Sequence, residues 1–298
     1  MKILIQITFN NGLGNLYSGI VDVLHYVKRH KELGYDAELI FASHGNAGGN
    51  KYIDYVTFEE MFNIDDFEIF DNIRNVKHSI GDKLFEGYTY HSTQYGPDYP
   101  GAHWWDVFYD VPPEVELPKP AHNMERLLTK EQVPIFLPRM NDIVYNKVND
   151  FLIERHIDGV IQVRHYDYNI NPSDEFKTFV DKLFDRVVSS KLTYYLTSNN
   201  QYLIDKLCEL PNIVIYKYTN LDILSNDHNY YMCHNHISRD ILLERLYDNM
   251  CEMVLLEKFN KIYHYTSFSW ISTFLFYSRS SNPEQNIINI NHDLTLIE

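Results

Sequence analysis

Apolar runs alternate with amphipathic stretches along most of the chain, and this alternation predicts strands and helices in turn. Residues 2–7 form a mostly apolar run, which is typical of a buried strand. Residues 16–33 repeat apolar positions at helical spacing until Gly34, which we expect to end the helix. A second strand is predicted at 37–41, and Thr57-Phe58-Glu59-Glu60 predicts a capping box that opens a short helix.

The regular pattern is interrupted between about residues 79 and 120. A further strand is predicted just before it, at 67–70. Within the interruption, glycines, prolines and aromatic residues are mixed without a period, which predicts either an elaborate loop or a cluster of short elements. The stretch contains His91, Trp104 and Trp105.

A second alternating unit begins near residue 141. Its predicted helices lie at 141–155, 173–188, 201–209, 238–256 and 268–277, and its predicted strands at 159–164, 192–197, 213–216, 261–264 and 286–290. Strand–helix alternation implies parallel sheets with right-handed crossovers. We therefore expect an α/β protein of two Rossmann-like domains, 1–140 and 141–298, whose strand ends face a central cleft where a ligand binds.

Composition narrows the function. A hydrophobic content of 45% is enough for a folded core, which excludes a disordered chain. The net charge of −15 argues against generic attraction to nucleic acid or anionic membranes. The three cysteines have no Cys-x-x-Cys spacing, and no run of about 18 apolar residues is present. We expect a cytoplasmic protein with no disulfide framework and no integral membrane segment, and the oligomeric state stays open.

Three segments at predicted strand ends carry the candidate chemistry. They are Gly12-Leu13-Gly14-Asn15, Arg164-His165-Tyr166-Asp167 and Ser267-Phe268-Ser269. Each alone has a structural interpretation, as a strand-to-helix turn, a surface ion pair and a helix cap respectively. Together, a glycine turn, a guanidinium and hydroxyls at a helix start suit a diphosphate, since backbone N–H groups and arginine both bind anions.

The same segments resemble motifs of the α-1,2- and α-1,6-fucosyltransferase superfamily. Gly12-Leu13-Gly14-Asn15 resembles the superfamily's Gly-Leu-Gly-Asn-Gln segment. The stretch from Gln162 to Asp167 resembles its His-x-Arg-Arg-x-Asp motif, and Ser267-Phe268-Ser269-Trp270 is similar to its Ser-Thr/Ser-Phe-Ser-Trp-Trp motif. Tyr194 to Asn200 is similar to a strand that ends in Ser-Asp-Asp. The four segments occur in the superfamily's order and span nearly the whole chain.

The resemblance implies a GT-B-like hexosyltransferase that transfers fucose from GDP-fucose to a glycan hydroxyl with inversion and without a cofactor. It places donor binding in the C-terminal domain and the acceptor in the N-terminal domain. The donor-binding residues it implies are Gly12, Gly14, Asn15, Gln162, Arg164, Ser198, Glu252, Ser267, Phe268 and Ser269, with Asp248 as a second choice for the guanine-reading acid.

Catalytic roles implied by the resemblance fall first on Arg164, which holds the β-phosphate, and on Asn15, which faces the donor and acceptor. Asp167, His165 and His91 are alternatives for a general base. Trp104 and Trp105, with His91, are candidates for the acceptor site, because aromatic faces suit sugar C–H surfaces. Taken alone, these residues favour the alternative that the rings form the core of an irregular subdomain.

Several positions depart from the superfamily's pattern. Gln162 replaces its histidine, His165 its second arginine and Glu252 its guanine-reading aspartate. A related transferase that uses another nucleotide sugar, or a non-catalytic glycan- or nucleotide-binding protein of the same fold, is therefore the alternative. No Asp-x-Asp stands at a predicted strand end, so we expect no metal. Asp65-Asp66 and the separated Asp106 and Asp110 leave a carboxylate-held Mg²⁺ open as the alternative.

Overall fold

The computed structural model describes residues 1–9, 13–43, 56–63, 73–76, 86–92, 105–111, 138–163, 172–198, 200–216, 239–265 and 284–298. These residues divide into two compact units. The first contains the described residues up to Asp142, and the second contains those from Ile143 onward.

The N-terminal unit is built on a five-stranded sheet. Its elements are β1 (Lys2–Phe9), α1 (Leu13–Glu32), β2 (Asp36–Ser43), α2 (Phe58–Met61), β3 (Ile73–Val76), β4 (Thr89–Ser92) and β5 (Trp105–Tyr109). The strand order is β3-β2-β1-β5-β4. Strands β1, β2 and β3 are parallel, as the alternation predicts. Strands β5 and β4 extend the sheet beyond β1, and β5 runs antiparallel to both β1 and β4.

Local sequence accounts for the regular part of this unit. Ile3, Ile5 and Ile7 on β1 have no solvent exposure, as expected for a nearly continuous apolar strand. Helix α1 stops just before Gly34, whose φ of 83° lies in the left-handed region that glycine enters without strain. The capping box is confirmed, since the Thr57 hydroxyl accepts from the N–H of Glu60 and the Glu60 carboxylate from the N–H of Thr57.

The C-terminal unit alternates strands and helices throughout its described length. Its elements are α3 (Asp142–Leu152), β6 (Gly159–Val163), α4 (Asp174–Ser189), β7 (Tyr194–Ser198), α5 (Gln201–Leu207), β8 (Ile213–Val214), α6 (Arg239–Lys258), β9 (Lys261–Tyr265), β10 (Asn286–Asn289) and a 3₁₀ turn at Leu294–Leu296. The sheet order is β10-β9-β6-β7-β8, with every neighbouring pair parallel. The predicted parallel sheet is confirmed here.

The two faces of the C-terminal sheet differ in character. One face is apolar and packs against α4 and α5, through residues that include Ile161, Val163, Leu196 and Tyr263. The other face meets α3 and α6. Phe151 of α3 packs edge-on against Tyr195 of β7, and the Cys251 thiol of α6 donates to the carbonyl of Val144 on α3.

Two predicted elements, the strand at 67–70 and the helix at 268–277, lie outside the described residues. Within the part of the chain that the structure describes, no helix is long and apolar enough to cross a membrane.

Candidate functional site

Three polar side chains lie side by side near the carboxyl ends of strands β6, β7 and β9 in the C-terminal unit. The strand register pairs Gln162 on β6 with Thr197 on β7, and also with His264 on β9. Side chains at paired positions of parallel strands point to the same face of the sheet. We call these three residues the polar row. It lies where ligands of parallel α/β sheets bind, at the carboxyl edge.

The polar row is largely withdrawn from water. Gln162 is 1% exposed, Thr197 is 4% exposed and His264 is half-buried. Among the described residues, no donor reaches the buried Oε1 atom of Gln162. A buried acceptor without a donor costs a folded protein about 1–3 kcal/mol. Such an atom is suited to accept an N–H or O–H from a ligand.

Helix α6 supplies a carboxylate next to this row. The Thr197 hydroxyl donates to Glu252 Oε2 over 3.3 Å. One turn earlier on α6, Asp248 is 9% exposed and its Oδ1 lies 3.3 Å from the Lys147 ammonium of α3. Of the two acids considered from the sequence, the structure places Glu252 at the polar row, whereas Asp248 is paired with a lysine.

Burial also sets the protonation of neighbouring groups. Burial lowers the pKa of His264 below its usual value, so its imidazole is neutral near pH 7 and offers one donor and one acceptor nitrogen. Burial raises the pKa of the Cys251 thiol to about 11, with the neighbouring Tyr216 hydroxyl partly opposing the shift. The thiol therefore stays protonated and is a poor nucleophile.

Ser198, expected to bind the donor, lies in a different setting. It pairs with Val163, one position along from the polar row, so its side chain leaves the opposite face of the sheet. Its hydroxyl accepts from the Asn200 N–H at 3.1 Å, and the Asn200 side chain in turn caps α5 by accepting from Leu203. The structure thus gives Ser198 a role in starting α5 and does not join it to the polar row.

In the N-terminal unit, Gly14 and Asn15 lie in the first turn of α1, which begins at Leu13. Their N–H groups are among those that a helix start leaves without an intrahelical acceptor. His91 lies on β4 opposite Val107, and Trp105 lies two positions from Val107 on β5. The stretch was predicted to be either an elaborate loop or a cluster of short elements. The cluster of short elements is confirmed where the structure describes the stretch.

The remaining predicted site residues lie outside the described part of the chain. They are Gly12, Trp104, Arg164, His165, Asp167, Ser267, Phe268 and Ser269. In sequence, Arg164 directly follows the last residue of β6, and Ser267 comes two residues after the end of β9. Their roles stay predictions.

Thr197, His264 and Lys147 were not predicted from the sequence as site residues. A signal was present for Thr197 and His264. Like Gln162, each is the penultimate residue of its strand. Each also follows an apolar residue two positions earlier on the same face. In the described part of the chain, no group of three His, Cys, Asp or Glu side chains is close enough to hold a metal ion.

Comparison with solved structures finds NodZ α-1,6-fucosyltransferase. A NodZ structure soaked with GDP-fucose superposes with a TM-score of 0.53 at 10% identity, over 99% of this chain and 96% of NodZ. Selenomethionine NodZ from Bradyrhizobium gives 0.51 at 9% identity, over 94% of this chain and 92% of NodZ. This chain has the fold of these fucosyltransferases.

That likeness confirms the α/β, GT-B-like fold class and shows that the chain resembles these fucosyltransferases in fold. With identities of about a tenth, it concerns the fold and leaves the reaction to be argued from the site. No protein-family model and no curated protein sequence matches the chain.

Proposed function

We propose that this protein is an inverting glycosyltransferase that moves fucose from GDP-fucose to a hydroxyl group of a glycan. The observation that carries the proposal is the likeness to NodZ α-1,6-fucosyltransferase, which spans 99% of the chain. The order of the four sequence motifs supports it independently, because sequence and fold point to the same superfamily.

Buried acceptor groups in the C-terminal unit support our proposal that the nucleotide binds there. A purine base presents N–H donors, and Gln162 Oε1 and the Glu252 carboxylate are acceptors at the carboxyl edge of the sheet. Because Asp248 already pairs with Lys147, we assign recognition of the nucleotide's purine base to Glu252. The donor would then lie across the ends of β6, β7 and β9, as ligands of parallel sheets do.

The chemical step needs negative charge stabilised on the departing diphosphate. We assign this to Arg164, directly after β6, since a guanidinium can bind two phosphate oxygens at once. Ser267, Phe268 and Ser269 would hold the same diphosphate through backbone N–H groups and hydroxyls. These groups stabilise the leaving group without a metal, and we propose a metal-independent reaction.

The acceptor is assigned to the N-terminal unit. We assign a catalytic role to Asn15 in the first turn of α1, and we propose that His91, Trp104 and Trp105 bind the glycan. Asp167, His165 and His91 remain alternatives for the base that accepts the acceptor's proton. The free thiols of Cys208 and Cys251 fit a reducing compartment, and we propose a cytoplasmic location.

The test is release of GDP from GDP-fucose in the presence of a panel of glycan acceptors. Acceptor-dependent GDP release with formation of a fucosylated product supports the proposal. UDP and UDP-sugars serve as competitors, so that a preference for UDP would indicate another nucleotide sugar. Glycan binding without any affinity for GDP-fucose would instead indicate a non-catalytic binding protein.

A further inference from the structure

Thr197 stands between two acceptors at the carboxyl edge of the C-terminal sheet. A threonine hydroxyl carries one hydrogen, and here it is donated to Glu252 Oε2. Gln162 lies beside Thr197 on the neighbouring strand, and no donor in the described residues reaches its Oε1 atom. Because Thr197 donates to Glu252, it does not satisfy Gln162.

Thr197 is well suited to fix the direction of a longer side chain. It is β-branched, it lies on a central strand and it is 4% exposed, so its own χ1 is restricted. Glu252 is a three-torsion side chain on a partly exposed helix position. A hydrogen bond from a rigid donor to the carboxylate reduces the number of rotamers that Glu252 samples before a ligand arrives.

We infer that Thr197 is a positioning residue for nucleotide recognition: it orients Glu252 and leaves Gln162 Oε1 to accept from the ligand. This inference rests on the proposed function. Two acceptors complement a base edge with adjacent N–H donors, which guanine has in its N1–H and its exocyclic amine. Uracil offers a single N–H between two carbonyl acceptors, so this pair of residues selects against it.

The experiment measures dissociation constants of GDP, IDP and UDP by calorimetry. IDP lacks the exocyclic amine, and its weaker binding reports recognition of that group. Thr197→Val should weaken GDP binding about tenfold, because the unoriented Glu252 carboxylate loses its hydrogen bond to the exocyclic amine of guanine. IDP has no such amine, and its binding should weaken less. Thr197→Ser keeps the hydroxyl and should restore both the affinity and the preference for GDP over IDP.

Tyr194→Phe is the matched control. Tyr194 lies on the same strand, and its hydroxyl contacts the Ser190 hydroxyl and the Glu298 carbonyl at the other end of β7. Loss of that hydroxyl should leave the GDP to IDP preference unchanged. If Thr197→Val weakens GDP and IDP equally, the hydroxyl acts on the fold alone and the inference is overturned.

A double-mutant cycle provides the second test. In a Glu252→Ala background, Thr197→Val should have little further effect on GDP binding, because the positioned carboxylate is gone. A fully additive loss would overturn the inference. If the wild-type protein binds no GDP, the proposed function itself fails, and this result is visible before any variant is made.

Discussion

Replacing Gln162 with leucine should stabilise the protein while weakening its binding of GDP. Gln162 is 1% exposed, and among the described residues its Oε1 atom has no donor. Removing a buried acceptor of this kind recovers about 1–3 kcal/mol. Leucine has a different shape from glutamine and packs less well in this space, which costs about 1 kcal/mol of that gain in stability. The net expectation is a gain of about 1 kcal/mol in the free energy of unfolding, or roughly 2–4 °C in Tm.

Gln285 provides the matched control, because it is equally buried but satisfied. It is 2% exposed, and its Nε2 donates to the carbonyls of Leu256 at 2.8 Å and Phe259 at 3.1 Å, where it closes the end of α6. Gln285→Leu should therefore destabilise the protein by about 1–3 kcal/mol.

Urea unfolding followed by circular dichroism compares both variants with the wild type, and calorimetry gives their affinities for GDP. We expect opposite signs in stability for the two substitutions and weaker GDP binding only for Gln162→Leu. If Gln162→Leu destabilises the protein as much as Gln285→Leu does, its amide is satisfied in the free protein and the reasoning is refuted.

Three further predictions concern chemistry and pH. Arg164→Ala should lower GDP-fucose turnover about 10²-fold or more with an unchanged circular dichroism spectrum, and near-normal turnover would remove Arg164 from the mechanism. Burial lowers the pKa of His30, whose Nδ1 donates to the Tyr26 carbonyl while its Nε2 has no partner in the described residues. As the pH is lowered, the unfolded state therefore binds the proton first, and the free energy of unfolding falls below about pH 6.5 by up to ~1.4 kcal/mol per pH unit. The urea midpoint of His30→Leu should depend less steeply on pH than that of the wild type, and an unchanged slope would contradict this. Desolvation raises the pKa of Glu257 to about 7, so its contribution to stability is present at low pH and is lost as pH rises through 7. Glu257→Gln should therefore raise the urea midpoint more at pH 8 than at pH 5, and an equal effect at both would contradict the raised pKa.

The sequence was sufficient for the elements whose stability is local or periodic. Helix α1 and its end at Gly34, the capping box at Thr57 and the alternation from α3 to β9 follow from spacing, caps and burial, and all of them are present. Strands β4 and β5 were not resolved as strands from the sequence. They are four and five residues long and contain several aromatic residues. β5 is held by pairing with β1, more than ninety positions away, and β4 by pairing with β5.

The candidate site was predictable in part for a related reason. Polar residues at the penultimate positions of β6, β7 and β9 are visible in the sequence, but their adjacency depends on a strand order in which β9 lies beside β6. Glu252 was already preferred to Asp248 from the sequence, but the ion pair that holds Asp248 depends on Lys147, a hundred residues away, and could not be predicted. Pattern gives the type of residue at a strand end, and the non-local crossover decides its neighbours.

The position of the polar row also explains why it can remain polar. A polar side chain at the centre of a buried strand, such as Gln6 of β1, lies inside the core, away from the sheet edge where ligands bind. At the penultimate position the same side chain lies at the edge where ligands of parallel sheets bind. The preceding residues Val160, Tyr195 and Ile262, on the same face, keep the sheet packed beneath it. If a nucleotide binds at this edge, as we propose, the Oε1 atom of Gln162 is placed to accept a hydrogen bond from it that no described residue supplies.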